Sequence, residues 1–420
     1  MSYENKILQM KKMLGKKSEK VEEKQTFQKP TKPSYCEKWQ QAGLELVEND
    51  FGVLFKRVVH YPLNFKHGHY EISQFYEAIE RWALLEDGHP YALDSNETLV
   101  FFDTETTGLK GVGTHIFLLG LLEAFDDEFV LTQYVLADPS NEAAMLFESK
   151  FWQRIMTIIT YNGKSFDWPM LETRWTLNQQ LIPKLRQQRQ VDLLHSTKRL
   201  WKDDLERMKL TQVEERKLGF YRDGDIPGHL APIIYFDAVK SGNAETLMKV
   251  LQHNEWDLLS LITLYVHSTN LLLDELGEES AATYTNIGKW YGDLKQKQVS
   301  ARVLANVTEK FDVEETGLAH FFLAYEQKRG RDYLNAAQSF ENALQGIPSR
   351  KQAQAYEQLA IIYEHQLKDV EKAYEYACKG QTVTKGINYV KQQHKQRQLN
   401  CWEKRMKRIE NKIHFPGKRK

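Results

Sequence analysis

Two acidic side chains, Asp103 and Glu105, stand two residues apart at the end of the apolar run Thr98-Leu99-Val100-Phe101-Phe102. The run reads as a buried β-strand. In a strand, residues i and i+2 project to the same side, so the two carboxylates leave one strand end together. Like charges held that close need a cation between them or must give up their ionisation. The pair therefore reads as a site for a divalent ion with oxygen ligands, of the Mg²⁺ or Mn²⁺ kind. Acidic residues at strand ends and Thr-Gly in turns are also ordinary loop chemistry, so the pair alone does not decide.

Two further acidic segments follow. Thr157-Ile158-Ile159-Thr160-Tyr161 is a short β-rich run, and Asn162-Gly163-Lys164-Ser165-Phe166-Asp167 comes after it. A helix is expected from about Trp168, with Pro169 in its first turn, and Asp167 also fits an N-cap there. His253-Asn254-Glu255-Trp256-Asp257 opens a segment with an apolar helical face at Leu258, Leu261, Ile262 and Tyr265. His253 and Asp257 are four apart and share that helix's face.

The string Phe101-Phe102-Asp103-Thr104-Glu105-Thr106-Thr107-Gly108-Leu109 resembles the first motif of the DEDD-type 3′→5′ exonucleases. The Asn162, Phe166, Asp167 segment resembles their second motif, and His253 with Asp257 their third. The histidine stands at the spacing those enzymes give a tyrosine. That mixture resembles a bacterial branch, the YprB-type ribonuclease-H-like family. The resemblance implies an α/β ribonuclease-H-like mixed sheet. It implies that Asp103, Glu105, Asp167 and Asp257 bind two divalent ions, Mg²⁺ or Mn²⁺, which activate a water and stabilise the leaving 3′-oxygen. Thr106, Asn162 and Phe166 would hold the substrate. His253 would orient or deprotonate the attacking water, or else pack the helix start. The expected activity is a metal-dependent 3′→5′ exonuclease on single-stranded DNA or RNA. The alternative is a non-catalytic nucleic-acid or protein-binding scaffold on the same fold.

Positioning elements are also legible. Strands are expected at about 97–103, 115–125, 128–136 and 157–161, with a helix from about 141; residues 96–270 form the nuclease domain. Val191-Asp192-Leu193-Leu194 resembles a further strand-to-helix junction, with Asp192 either a fifth carboxylate or, the favoured role, a helix N-cap. Asp225-Ile226-Pro227-Gly228 and Pro232-Ile233-Ile234-Tyr235-Phe236 match the same branch and are expected to wall a substrate groove.

Residues 36–95 are expected to form an extension packed on that domain, with Gly52 to Val59 its clearest strand. Residues 1–35 read as a flexible segment with a short amphipathic helix at Ile7 to Leu14. After residue 275 only helical patterns remain. Ile287-Gly288, Leu323-Ala324 and Leu359-Ala360 recur at intervals of 36 residues. Ala336, Phe340 and Ala343, with Pro348 after them, resemble half a tetratricopeptide repeat. An all-α tetratricopeptide-like repeat domain over 278–390 would offer a face to a protein partner. The tail, 391–420, carries eleven Lys or Arg against Glu403 and Glu410 and reads either as a solvated face or as a surface that neutralises phosphates; Trp402 could stack on a base, with packing the favoured role.

Composition narrows the classes. The 420 residues are 41% hydrophobic, enough for more than one core, and the formal net charge is zero, so no global field draws the chain to nucleic acid. Cys36, Cys378 and Cys401 form no Cys-x-x-Cys pair, which argues against a zinc ribbon, a redox motif or a disulfide framework. No apolar run of spanning length and no signal-peptide core is present, so a cytoplasmic location without a membrane is expected.

Overall fold

A computed structural model describes residues 27–85, 88–108, 111, 113–274 and 276–414. The expected helix at Ile7 to Leu14, Leu109 of the first motif and the last six residues lie outside these. The N-terminal region holds α1 (Cys36–Gln41), β1 (Glu45–Asn49), β2 (Gly52–Pro62), a two-residue hairpin of β3 (Lys66–His67) and β4 (Tyr70–Glu71), and α2 (Gln74–Ala83). Then come β5 (Leu99–Thr106), β6 (Ile116–Ala124), β7 (Glu128–Leu136), α3 (Glu142–Glu148), β8 (Thr157–Thr160), α4 (Asp167–Leu177), β9 (Arg189–Asp192) and α5 (Leu193–Trp201). A short helix, Leu210–Val213, continues into a π-helical turn, Glu214–Leu218; α6 (Ala231–Ser241) and the long α7 (Glu245–Leu273) follow.

Seven strands form one mixed sheet in the order β1-β2-β7-β6-β5-β8-β9. Pairs from β1 to β5 across the sheet are antiparallel, and β5-β8 and β8-β9 are parallel. Strands buried on both faces read as continuous apolar runs rather than alternating ones. Such a run, Ile116 to Leu122, makes β6. One face carries Phe101, Leu122, Leu131 and Ile159 against Phe75 and Trp82 of α2 and Leu258, Ile262 and Tyr265 of α7. The opposite face carries Val100, Phe102, Leu121 and Ile158 against Met145 of α3, Trp168 and Leu171 of α4 and Tyr235 of α6. The sheet is three strands wider than the run 97–161 indicates, because β9 pairs with β8, and β2, with β1 beyond it, pairs along β7 from Leu54↔Leu136 to Pro62↔Glu128.

The rest of the described chain is helical: α8 (Ala281–Asp293), α9 (Lys297–Lys310), α10 (Gly317–Arg329), α11 (Tyr333–Ala343), α12 (Ser349–Ile362), α13 (Val370–Gly386) and α14 (Gln392–His414). Short loops make sequential helices packing neighbours. Ile287, Leu304 and Leu323 join the core beneath α7, so the first helices continue the α/β core. The later ones enclose a second core around Phe340, Ala355, Leu359 and Ala377.

The basic tail closes that second core. Ile409 of α14 is buried, and Trp402 packs on Gly380, donating through Nε1 to Thr384 Oγ1 at 2.9 Å. A buried indole cannot stack on a base, so packing is the role Trp402 has. Three of the tail's cations are engaged as well: Arg405 with Glu357 at 2.8 Å, and Arg408 and Lys412 with the buried Glu364 at 2.6 and 2.7 Å. Burial alone would raise the Glu364 carboxyl; the hydrogen bonds from Arg408 and Lys412 outweigh it and bring it down to about 2. Replacing Trp402 by Ala should therefore cost roughly 3–5 kcal/mol of stability, seen as an earlier urea transition with amide exchange accelerated in α12 to α14.

Candidate metal centre

Strand β5 changes character halfway. Its first four residues are buried apolar side chains and its last four are polar and partly exposed. Asp103 and Glu105 lie on the Phe101 side, toward α7. The β5–β6 register shifts at Glu105/Thr106, a bulge of the kind that re-aims side chains beside functional sites. Thr104 donates through Oγ1 to Asp167 Oδ1 at 2.5 Å, tying β5 to the first turn of α4. The sequence also allowed Asp167 as an N-cap. Phe166 takes the cap position instead, and Asp167 makes its bond to Thr104.

Approach of α7 to β5 requires a small residue opposite Asp103, and Gly120 stands there. A Cβ at Gly120 would fall 2.2 Å from Asn254 Oδ1. Asn254, fully buried, donates to Asp103 Oδ2 at 2.8 Å. It accepts at 2.9 Å from Gln133 of β7, whose amide also donates to the Leu251 carbonyl at 2.7 Å. Arg57 of β2 donates to Gln133 at 2.9 Å and to Glu255 at 2.5 Å, and Tyr61 donates to Glu255. Each buried polar group thus has a partner, and the relay fixes α7 in register with β5.

One helical turn of α7 places His253 and Asp257 over Glu105. His253 Nε2 lies 3.9 Å from Glu105 Oε1 and 3.5 Å from Asp257 Oδ2. His253 Nδ1 lies 2.7 Å from Asp225 Oδ1. Arg222, 5% exposed, donates to both oxygens of the buried Glu214 at 2.6 and 2.7 Å and to Asp257 Oδ1 at 2.5 Å. Arg222, Asn254 and Gln133 were not assigned from the sequence, and Asp225 was given no chemistry within its groove-wall segment. A polar Gln inside Phe129 to Leu136 and an Asn beside His253 are the signals that could have found two of them.

The Asp192 carboxylate caps α5 through Leu194 N at 3.0 Å. It also accepts from Asn162 N at 2.8 Å and Lys164 N at 3.2 Å, so the expected cap doubles as the anchor of the loop before α4. Asn162 adopts φ 68°, a left-handed conformation in which asparagine is favoured. Phe166 is half-buried, and the Thr106 hydroxyl donates to the Gly108 carbonyl at 2.9 Å. Of the expected groove wall, Tyr235 is core, stacked on Phe117 at 4.6 Å, while Ile233 and Phe236 are exposed.

Electrostatics follow from this crowding. Burial raises Asp103 well above the usual carboxylate range, and repulsion from Asp257, Asp167 and Glu105 adds to it. Burial likewise pushes Glu105 up to about 8, with His253 opposing, and Asp167 up to about 6, with the Thr104 hydrogen bond opposing. Burial would lower His253, but Asp257, Asp225 and Glu105 raise it. Four crowded carboxyl groups are a donor set that divalent ions fit, because a bound ion supplies the charge that lets them ionise together.

Residues 100–269 match the RNase H superfamily. Over 388 residues the chain is 34% identical to the uncharacterized protein YprB of Bacillus subtilis (strain 168), covering 90% of this chain and 92% of that protein. The chain belongs to the YprB family. Its RNase H superfamily domain runs from β5 to α7 and contains Asp103, Glu105, Asp167, His253 and Asp257, while β1, β2 and helices α8 to α14 lie outside it. Such a domain with an acidic centre is of the nuclease type. Among the described residues, no helix is long and apolar enough to cross a membrane.

A raised folded-state carboxyl means that the folded protein holds protons the unfolded chain releases. Stability from such a group is present below its unfolded value and lost as pH rises through its folded value. In EDTA the protein should therefore lose thermal stability between about pH 4.5, the usual carboxylate value, and pH 8, where Glu105 ionises. Thermal unfolding across that range, with Mn²⁺ restoring the lost stability and Glu105→Gln flattening the slope, is the measurement.

Proposed function

We propose that the chain is a metal-dependent 3′→5′ exonuclease of the DEDD type, hydrolysing phosphodiester bonds of single-stranded DNA or RNA. The observation carrying this reading is the convergence of Asp103, Glu105, Asp167 and Asp257 at the end of β5, the first three raised by burial and by neighbouring carboxylates. These four would hold two divalent ions, Mg²⁺ or Mn²⁺. Bound there, the ions would supply Lewis-acid activation of water and neutralise charge on the scissile phosphate.

Every other part of the chemistry falls to side chains with positions of their own. Asn254 and Thr104 fix the Asp103 and Asp167 carboxylates through single hydrogen bonds, so little reorganisation is needed when substrate arrives. Asn162 and Phe166, held by the Asp192-anchored loop, would receive the 3′-terminal nucleotide, and Thr106 would line the same end of β5. Their order, an Asn, a spacer, an aromatic and an Asp, supports action from a 3′ end over cutting within a strand. Helices α8 to α13 would serve as tetratricopeptide-like repeats presenting a face to a protein partner.

One observation favours a second reading. Arg222 already places a cation on Asp257 at 2.5 Å, which would suit a non-catalytic scaffold that binds nucleic acid or protein without turnover. The two readings part on mutation. Asp103→Ala or Asp257→Ala should abolish metal-dependent release of nucleotides while leaving the folded spectrum intact. His253→Ala should slow release by roughly 10²–10⁴. Wild-type rates in either aspartate variant would remove the site assignment, and no release by the wild type would leave the scaffold.

A further inference from the structure

Among the described residues, one group of metal-ligating side chains stands together. Glu105, His253 and Asp257 each offer an atom within 4.8 Å of the other two. The partners of these groups decide what each atom can do. His253 Nδ1 lies 2.7 and 2.9 Å from the two oxygens of Asp225. Carboxylate oxygens accept, so Nδ1 is the nitrogen that donates to Asp225, and Nε2 is the nitrogen left to face the other two side chains. Arg222 Nη1, a donor 3.2 Å from Nδ1, also donates to Asp225 Oδ2, and the Asp225 oxygens lie closer to Nδ1 than it does.

Nε2 then faces Asp257 Oδ2 at 3.5 Å and Glu105 Oε1 at 3.9 Å, three potential ligand atoms around one point. Glu105 accepts no hydrogen bond from a described residue. The separations are too long for N–H···O bonds. They suit atoms sharing an ion, since opposite ligands with bonds of about 2.1 Å lie about 4.2 Å apart.

We propose that His253 is a metal ligand, completing with Glu105 and Asp257 a mixed nitrogen–oxygen centre that takes a first-row transition ion such as Mn²⁺ in preference to Mg²⁺. The inference deepens the reading of this site as a metal centre and rests on it. An imidazole nitrogen suits transition ions, whereas Mg²⁺ favours oxygen ligands and retains water. The surroundings are built for ligation. Asp225 holds the ring by its other nitrogen, as carboxylates hold metal-bound histidines. Arg222, itself gripped by Glu214, holds Asp257 Oδ1 and leaves Oδ2 on the His253 side. Glu214 opens the π-helical turn Glu214–Leu218, a backbone form concentrated at functional sites. Asp225 and Arg222 are thus positioning residues, and a histidine at the tyrosine spacing becomes a ligand, so that the slower release expected of His253→Ala reports a weakened metal centre.

The test is pulsed electron paramagnetic resonance of the full chain with substoichiometric Mn²⁺, beside equilibrium binding of Mn²⁺ and Mg²⁺. The wild type should show nitrogen modulation from a ligated imidazole and bind Mn²⁺ more tightly than Mg²⁺. His253→Ala and His253→Gln, checked for folding by circular dichroism, should both lose the modulation and most of the preference. Asp225→Asn should weaken Mn²⁺ roughly 10–100-fold. Mn²⁺ bound without nitrogen modulation, modulation surviving in both His253 variants, or no Mn²⁺ bound at all would overturn the proposal. The nuclease reading is judged separately. Metal-dependent cleavage without nitrogen modulation removes only the ligand assignment, and nitrogen-ligated Mn²⁺ without cleavage removes only the nuclease.

Discussion

Repulsion among acidic side chains held out of water is the constraint on which the rest of this structure depends. Asp103, Glu105, Asp167 and Asp257 face one another where a buried strand runs out, and burial penalises the charge of the first three. A chain left to minimise its own energy would spread such groups into solvent. Here each is held in place by something specific: Asn254 on Asp103, Thr104 on Asp167, Arg222 on Asp257, and the β5 bulge beneath Glu105. Stability is forgone at one point to keep a site ready for cations.

The scaffold around that point is organised to bear the strain. Gly120 lets α7 close on β5, and the Arg57–Gln133–Asn254 relay carries the lock from β2 through β7 to the site. That relay gives the N-terminal strands a role beyond widening the sheet, because Arg57 and Tyr61 also hold Glu255 in the turn between His253 and Asp257. At the far end, the basic tail seals the helical core through Trp402, Ile409 and the ion pairs at Glu364, which engage Arg408 and Lys412.

Much of this was readable from residue order. Alternation put Asp103 and Glu105 on one side of a strand, and the apolar runs located β5, β6, β7 and β8 within a few residues of their ends. The face Leu258, Leu261, Ile262, Tyr265 gave α7 its buried side, and Asp192 was recognisable as a cap. What sequence could not show is long-range pairing. Nothing local says that β2 joins β7, that Gln133 meets Asn254 across 121 residues, or that Arg222 reaches back to Glu214 and forward to Asp257. His253 was ambiguous for the same reason. Its spacing from Asp257 fixed the shared face, but its chemistry depends on Asp225, 28 residues away and brought close only by the fold. Nor does sequence say that three of the tail's eleven basic residues, Arg405, Arg408 and Lys412, meet acidic partners on α12 and the turn after it.

The central claim is that this acidic centre works on the 3′ ends of nucleic acid strands with divalent metal. The most direct measurement follows 5′-labelled single-stranded DNA and RNA on a sequencing gel, in Mn²⁺, Mg²⁺ or EDTA. The account predicts a ladder shortening stepwise from the 3′ end with metal and an unchanged strand in EDTA. An unchanged strand of both polymers with either metal, or cleavage that persists in EDTA, would contradict it.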